Sequence, residues 1–220
     1  AHDIAQELHA NGADVTMVQR SPTMVVNVDP SAQLYDGAYL DLTKRTEDLD
    51  LFNSSFPMPI IKANHKLITA RVRAQDKPTL DALEAKGFRL EFGEDGTGWP
   101  LKYRNRGGGY YFNVGCSELI VDGRVKLMQY HDIEHFDANG AVLKDGGRKD
   151  AELIVLATGY KGQMHMVEKL FGDDVAGRVE QVWGYGEDTQ ELTNMWMRTG
   201  QRGLWFRAAR SRNAGFTPNI

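Results

Sequence analysis

Three short stretches of this chain carry side chains at spacings that could do chemistry. In Gln19-Arg20-Ser21, a guanidinium and a hydroxyl follow the alternating run Asp14-Val15-Thr16-Met17-Val18-Gln19, so both stand at the end of an expected strand. A guanidinium there offers a charge-assisted fork to a phosphate and the adjacent hydroxyl can donate as well, whereas the bland alternative is a solvated arginine at a strand end. In Ala157-Thr158-Gly159-Tyr160, small residues close the apolar run Glu152-Leu153-Ile154-Val155-Leu156. That run reads as a buried parallel strand whose Gly-containing end can approach a ligand, or as a Gly-terminated core strand with no ligand at all. The third stretch, His131-Asp132-Ile133-Glu134-His135, matches H-x-x-E-H. Zinc chemistry at that spacing needs a helix with both histidines on one face, and the strand-like Val125 to Tyr130 before it and the turn Asp137-Ala138-Asn139-Gly140 after it argue against one, so no metal is expected.

Other candidates reduce to structural readings. Gly107-Gly108-Gly109 has neither a preceding strand nor a following lysine, and reads as a hinge and not as a phosphate cradle. Cys116 is the only cysteine, which leaves no internal disulfide or redox pair and suggests a small apolar filler. Trp183, Trp196 and Trp205 read as core or interface in preference to a substrate box. No Ser/His/Asp arrangement is readable, and no catalytic residue is assigned.

These residues must be held by an ordinary globular frame: 220 residues, 41% hydrophobic and 25% charged. With 26 basic against 30 acidic residues the net charge is −4, and no basic block supports a nucleic-acid partner. No window approaches the roughly 18 apolar residues of a membrane span, and nothing at the start resembles a signal peptide, so no membrane partner and a cytoplasmic location are expected. Ile4, Ala5 and Leu8 share a helical face between Ala1 and Ala10, and Asn11-Gly12 stops the helix. Helix then strand is the second half of a βαβ nucleotide-binding unit, whose first strand and Gly-rich turn are not in the chain. In such units an acid after the strand accepts from the ribose 2′-hydroxyl of NAD; Arg20 and Ser21 in that place favour the 2′-phosphate of NADPH. Residues 21–105 read as an irregular polar insertion over the site, with Asp29-Pro30 and Pro57-Met58-Pro59 as breakers and a helix at Lys77 to Gly87. Beyond Tyr110 strand signals dominate, with Asn139-Gly140 a hairpin turn.

In order and spacing, Arg20-Ser21-Pro22-Thr23, Phe92-Gly93-Glu94-Asp95-Gly96-Thr97-Gly98-Trp99-Pro100, the stretch Gly107 to Ser117 and Leu153 to Tyr160 together resemble the flavin-containing monooxygenases, specifically the group related to dimethylaniline and auxin-forming flavin monooxygenases. The resemblance implies an α/β flavoprotein with two dinucleotide-binding domains, the NADPH domain inserted into the FAD domain. It implies NADPH and FAD as cofactors, O₂ and a small organic molecule as substrates, and oxygen insertion through a peroxyflavin; it leaves homo-oligomerisation open. Residues 1–160 would be a partial Rossmann-like NADPH domain and 161–220 the returning part of the FAD domain. Gln19, Arg20, Ser21, Ala157, Thr158, Gly159 and Tyr160 would lie at the cofactors. It also implies a short helix before Asp122-Gly123, where the turn rule alone would give a hairpin. The alternative is a non-catalytic nucleotide-binding remnant or interaction protein that keeps only the fold. The chain departs from the family where its FAD-binding Gly motif would be, so it is expected to be an inactive fragment by itself. It departs again after Phe206, where Arg207 to Ile220 can be recoded in a shifted frame as G-S-S-L-A-Q-C-R-I-Y-S-K-Y, a family-like tail, and is expected to be out of frame.

Overall fold

The structure, a computed structural model, describes residues 1–33 and 39–207. The out-of-frame expectation for the tail therefore falls, apart from Arg207, outside the described residues.

Helix α1 (His2–Ala10) buries Ala5 and packs Leu8 against the core, while Ile4, expected on the same face, is exposed. Asn11 closes it with a side-chain hydrogen bond to the Glu7 carbonyl (2.9 Å). Strand β1 (Val15–Gln19) turns Val15, Met17 and Gln19 inward by its period of two, and pairs in parallel with β4 (Val125–Gln129), from Val15 opposite Val125 to Gln19 opposite Gln129. A second parallel pair joins β2 (Met24–Asn27) to β3 (Tyr110–Asn113). Met24, Val25 and Val26 are all buried, and alternation sorts them onto two faces. Val25 and Tyr111 meet Leu80 and Leu83 of α4 (Lys77–Ala85) and Cys116, Leu119 and Ile120 of α6 (Cys116–Val121). Met24 and Val26 meet Val72 of α3 (Met58–Gln75), with Trp99 and Phe112 packed alongside.

Residues 21–105 are not irregular. They hold β2, α2 (Thr46–Ser54), α3, α4 and most of α5 (Gly98–Arg106). Pro57-Met58-Pro59, expected to break structure, begins α3: Pro57 is its extended N-cap and Pro59 lies in the first turn, where a missing N–H costs nothing. The expected helix at Lys77 to Gly87 is α4, with Leu80 and Leu83 buried. The triple glycine is not a free hinge, since Gly107 ends α5 in the left-handed region (φ 68°) and Gly109 leads into β3. The short helix before Asp122-Gly123 is α6.

Asn139-Gly140 turns β5 (Ile133–Asp137) into β6 (Gly140–Leu143), which continues antiparallel to β7 (Arg148–Asp150). Arg148 forks onto both Asp137 carboxylate oxygens at 2.8 and 2.9 Å across the turn. The apolar run Glu152 to Tyr160, expected as a buried parallel strand, is neither buried nor a strand: every residue from 151 to 160 is exposed. No described strand pairs with it. Strand propensity is expressed only through a neighbour's ladder and a packed face, and this run has neither.

The chain divides into two compact units, one of Ala1–Tyr103 and Gly107–Thr158, the other of Arg104–Arg106 and the chain from Gly159 onward. In the second, α7 (Gln163–Phe171) and α8 (Asp173–Val179) close on Val167, Ala176, Val179, Val182 and Met195, with Trp183 packed against them; Trp196 and Trp205 are exposed. The architecture is α/β with small parallel sheets. Among the described residues no helix is long and apolar enough to cross a membrane.

Candidate phosphate site at the end of strand β1

Gln19 is buried, and its carboxamide imitates a strand ladder. Its Nε2 donates to the Arg89 carbonyl (2.9 Å), while its Oε1 accepts from the Arg89 amide (2.9 Å) and from Gln129 Nε2 (3.1 Å). Thr23 N also donates to the Arg89 carbonyl (3.1 Å), and Thr23 bridges to Leu90. The segment after α4 therefore fills the step between β1 and β2. Arg20 and Ser21 emerge from that lattice exposed. Their backbone is held while their side chains are not: Arg89 Nη2 donates to the Arg20 carbonyl (2.7 Å) and Thr23 Oγ1 to the Ser21 carbonyl (3.4 Å). Among the described residues the Arg20 guanidinium has no carboxylate partner. An exposed, uncompensated guanidinium beside a hydroxyl suits a phosphate dianion. Gln19, its amide already engaged, is the member of the triplet least able to reach a ligand.

The other predicted site residues lie on the exposed run. Ala157 and Thr158 end the first unit; Gly159 and Tyr160 begin the second. Gly159 has φ 82°, and a Cβ there would meet nothing within 4 Å, so glycine serves the backbone conformation and not the close approach of another group. No hydrogen bond or ion pair among the described residues links Ala157 or Thr158 to Gln19, Arg20 or Ser21.

Arg89 escaped the sequence reading because nothing in Gly87-Phe88-Arg89-Leu90 announces that this segment returns to the end of β1. A second polar cluster was also missed. Buried Asp76, between α3 and α4, accepts from Asn27 N (2.9 Å), Asn27 Nδ2 (3.0 Å) and Ser31 Oγ (2.6 Å). Asn113 extends it, donating to Asn27 Oδ1 (2.9 Å) and Glu118 Oε1 (3.0 Å) and accepting from the Gly115 and Ser117 amides, both 3.2 Å. Its hydrogen bonds close among β2, β3, α4 and α6, which marks it as architecture.

His131 to His135 forms a 3₁₀ turn running into β5, so the histidines never share a helical face. Among the described residues no three His, Cys, Asp or Glu side chains cluster as metal ligands. Cys116 is fully buried, and burial pushes its thiol up to about 11, so it is inert filler. No family model matches the chain, and no curated protein matches it significantly.

Proposed function

We propose that this chain is part of an NADPH- and FAD-dependent monooxygenase acting on a small organic substrate with O₂, and that Arg20 and Ser21 receive the NADPH 2′-phosphate. One observation carries the site: a guanidinium and a hydroxyl stand exposed and unpaired at the carboxyl end of a parallel strand, where open α/β sheets take their ligands. The motif order from Arg20 to Tyr160 supports the family assignment. The bound cofactors would supply the electron transfer and oxygen activation. This chain's own share is recognition: Arg20 gives a fork to two phosphate oxygens, Ser21 adds a hydroxyl donor, and Gln19 holds the strand end that aims them. No residue is assigned to FAD.

Arg20→Ala is expected to weaken NADPH binding by about 1.5–3 kcal/mol, the range for a hydrogen bond to a charged group, and to leave NADH unchanged. Titration of both coenzymes against the chain measures this, and equal loss for the two would remove the 2′-phosphate assignment. The second reading, a nucleotide-binding protein without catalysis, is favoured by one feature: the exposed run 151–160 presents no closed face to a cofactor. NADPH binding without NADPH-dependent oxygen consumption in the protein's longest natural form would select it.

A further inference from the structure

We infer that Arg89 is a second coenzyme-selecting residue, which fixes the Arg20 turn through its carbonyl and adds its own positive charge to the 2′-phosphate site. The inference rests on the 2′-phosphate reading of Arg20. The Arg89 backbone is gripped from both sides: Gln19 takes its amide and its carbonyl, each at 2.9 Å, and Thr23 N takes the carbonyl again at 3.1 Å. Its side chain therefore starts from a fixed point at the end of β1. From there Nη2 reaches the Arg20 carbonyl at 2.7 Å, while Nε is buried without a partner. One donor sets the direction of the Arg20-Ser21 turn, and the planar guanidinium still has donors to spare.

The electrostatics point the same way. Neither Arg20 nor Arg89 has a carboxylate in ion-pair contact among the described residues. The Arg89 guanidinium touches the Arg20 backbone, so its charge stands beside the Arg20-Ser21 turn, and a dianion bound there gains attraction from it. A ribose 2′-hydroxyl gains none. The pair therefore discriminates by charge as well as by fork geometry, and removing either member should cost the phosphorylated ligand alone.

The test is calorimetric titration of the full chain with 2′,5′-ADP, and with 5′-AMP as the ligand lacking the 2′-phosphate. Arg89→Gln should weaken 2′,5′-ADP about tenfold, close to the cost of one charged hydrogen bond, and leave 5′-AMP unchanged. Arg89→Lys should lose less, because the charge stays while the fork that serves both carbonyl and phosphate is gone. Equal weakening of both ligands by Arg89→Gln would reduce Arg89 to a structural strut and overturn the inference. A native-like response to 2′,5′-ADP in Arg89→Gln, alongside a loss in Arg20→Ala, would overturn it and leave the Arg20 site standing. If the native chain prefers 2′,5′-ADP no more than 5′-AMP, the Arg20 reading falls first and Arg89 with it. Should Arg89→Gln fail to fold by circular dichroism, Arg89→Lys decides: a reduced preference for 2′,5′-ADP supports the inference, and an unchanged preference defeats it.

Discussion

His2 lies flat against Tyr111, ring centroids 4.0 Å apart at 8°, with Phe88 at 5.8 Å. Burial pushes its imidazole down to about 4. A histidine held below its free value of about 6.5 binds fewer protons folded than unfolded. Its stabilising share is therefore whole above about pH 6.5 and drains away as pH falls towards about 4, by up to roughly 3 kcal/mol. Urea unfolding followed across that window should show the decline, and His2→Phe, which keeps an aromatic face on Tyr111, should flatten it. An identical pH profile in the variant would mean that other groups set the acid sensitivity. None of this could be read from Ala1-His2-Asp3, because the partners lie at Phe88 and Tyr111. The place of Arg20 and Ser21 at an exposed strand end was legible for the opposite reason: the strand they follow is written immediately before them. Gln19 looked like part of the same polar end, yet the fold uses its amide as mortar against Arg89.

The elements differ in how locally they are specified. Helix α4 could be read from Pro78 near its start and the Leu80/Leu83 spacing, and the β5–β6 hairpin from Asn139-Gly140, since each signal sits inside the element it makes. Pro57 and Pro59 misled because proline stops a helix from inside and starts one from its first turn, and a sequence motif cannot say which side it occupies. The run Leu153 to Leu156 misled because strand propensity predicts a strand only when a neighbour is present. A comparison of truncations separates the two kinds of leucine. Leu83 is fully buried, so Leu83→Ala should cost about 2–5 kcal/mol in urea unfolding, by lost contacts and the cavity left behind. Leu156 is 75% exposed, and Leu156→Ala should stay within about 0.5 kcal/mol of the native chain. A large loss at Leu156 would mean that the run is docked in solution against something these contacts do not contain.

For the whole molecule, the α/β character and strand β1 followed from pattern, because the alternation that buries Val15, Met17 and Gln19 is written in the residues, whereas β2, inside the stretch read as irregular, and the parallel pairings were not legible. Helices α2, α3 and α5 were not legible in residues 21–105, where polar stretches and prolines mask elements that tertiary contacts stabilise: Val72 of α3 is buried in one cluster with Met24 and Val26 of β2. The division between the two compact units at Thr158 and Gly159 falls inside the exposed run. Chain that is exposed and unpaired is where proteases cut, since the backbone must enter an active site extended and free of its own hydrogen bonds. Leu153, Leu156 and Tyr160 are chymotrypsin sites with 66%, 75% and 105% relative exposure, whereas Leu83, Phe88 and Tyr111 are buried. Brief chymotrypsin digestion followed by intact-mass spectrometry should therefore release a fragment ending at Leu153, Leu156 or Tyr160 well before any cut after Leu83, Phe88 or Tyr111. That fragment should keep the circular dichroism of its helices, because the core of Ala5, Val15, Val25, Leu83 and Ile120 lies wholly within it. Simultaneous cleavage inside α4 and β3 would show instead that the first unit has no cooperative core of its own, and resistance at all of Leu153, Leu156 and Tyr160 would show that the run is covered in solution.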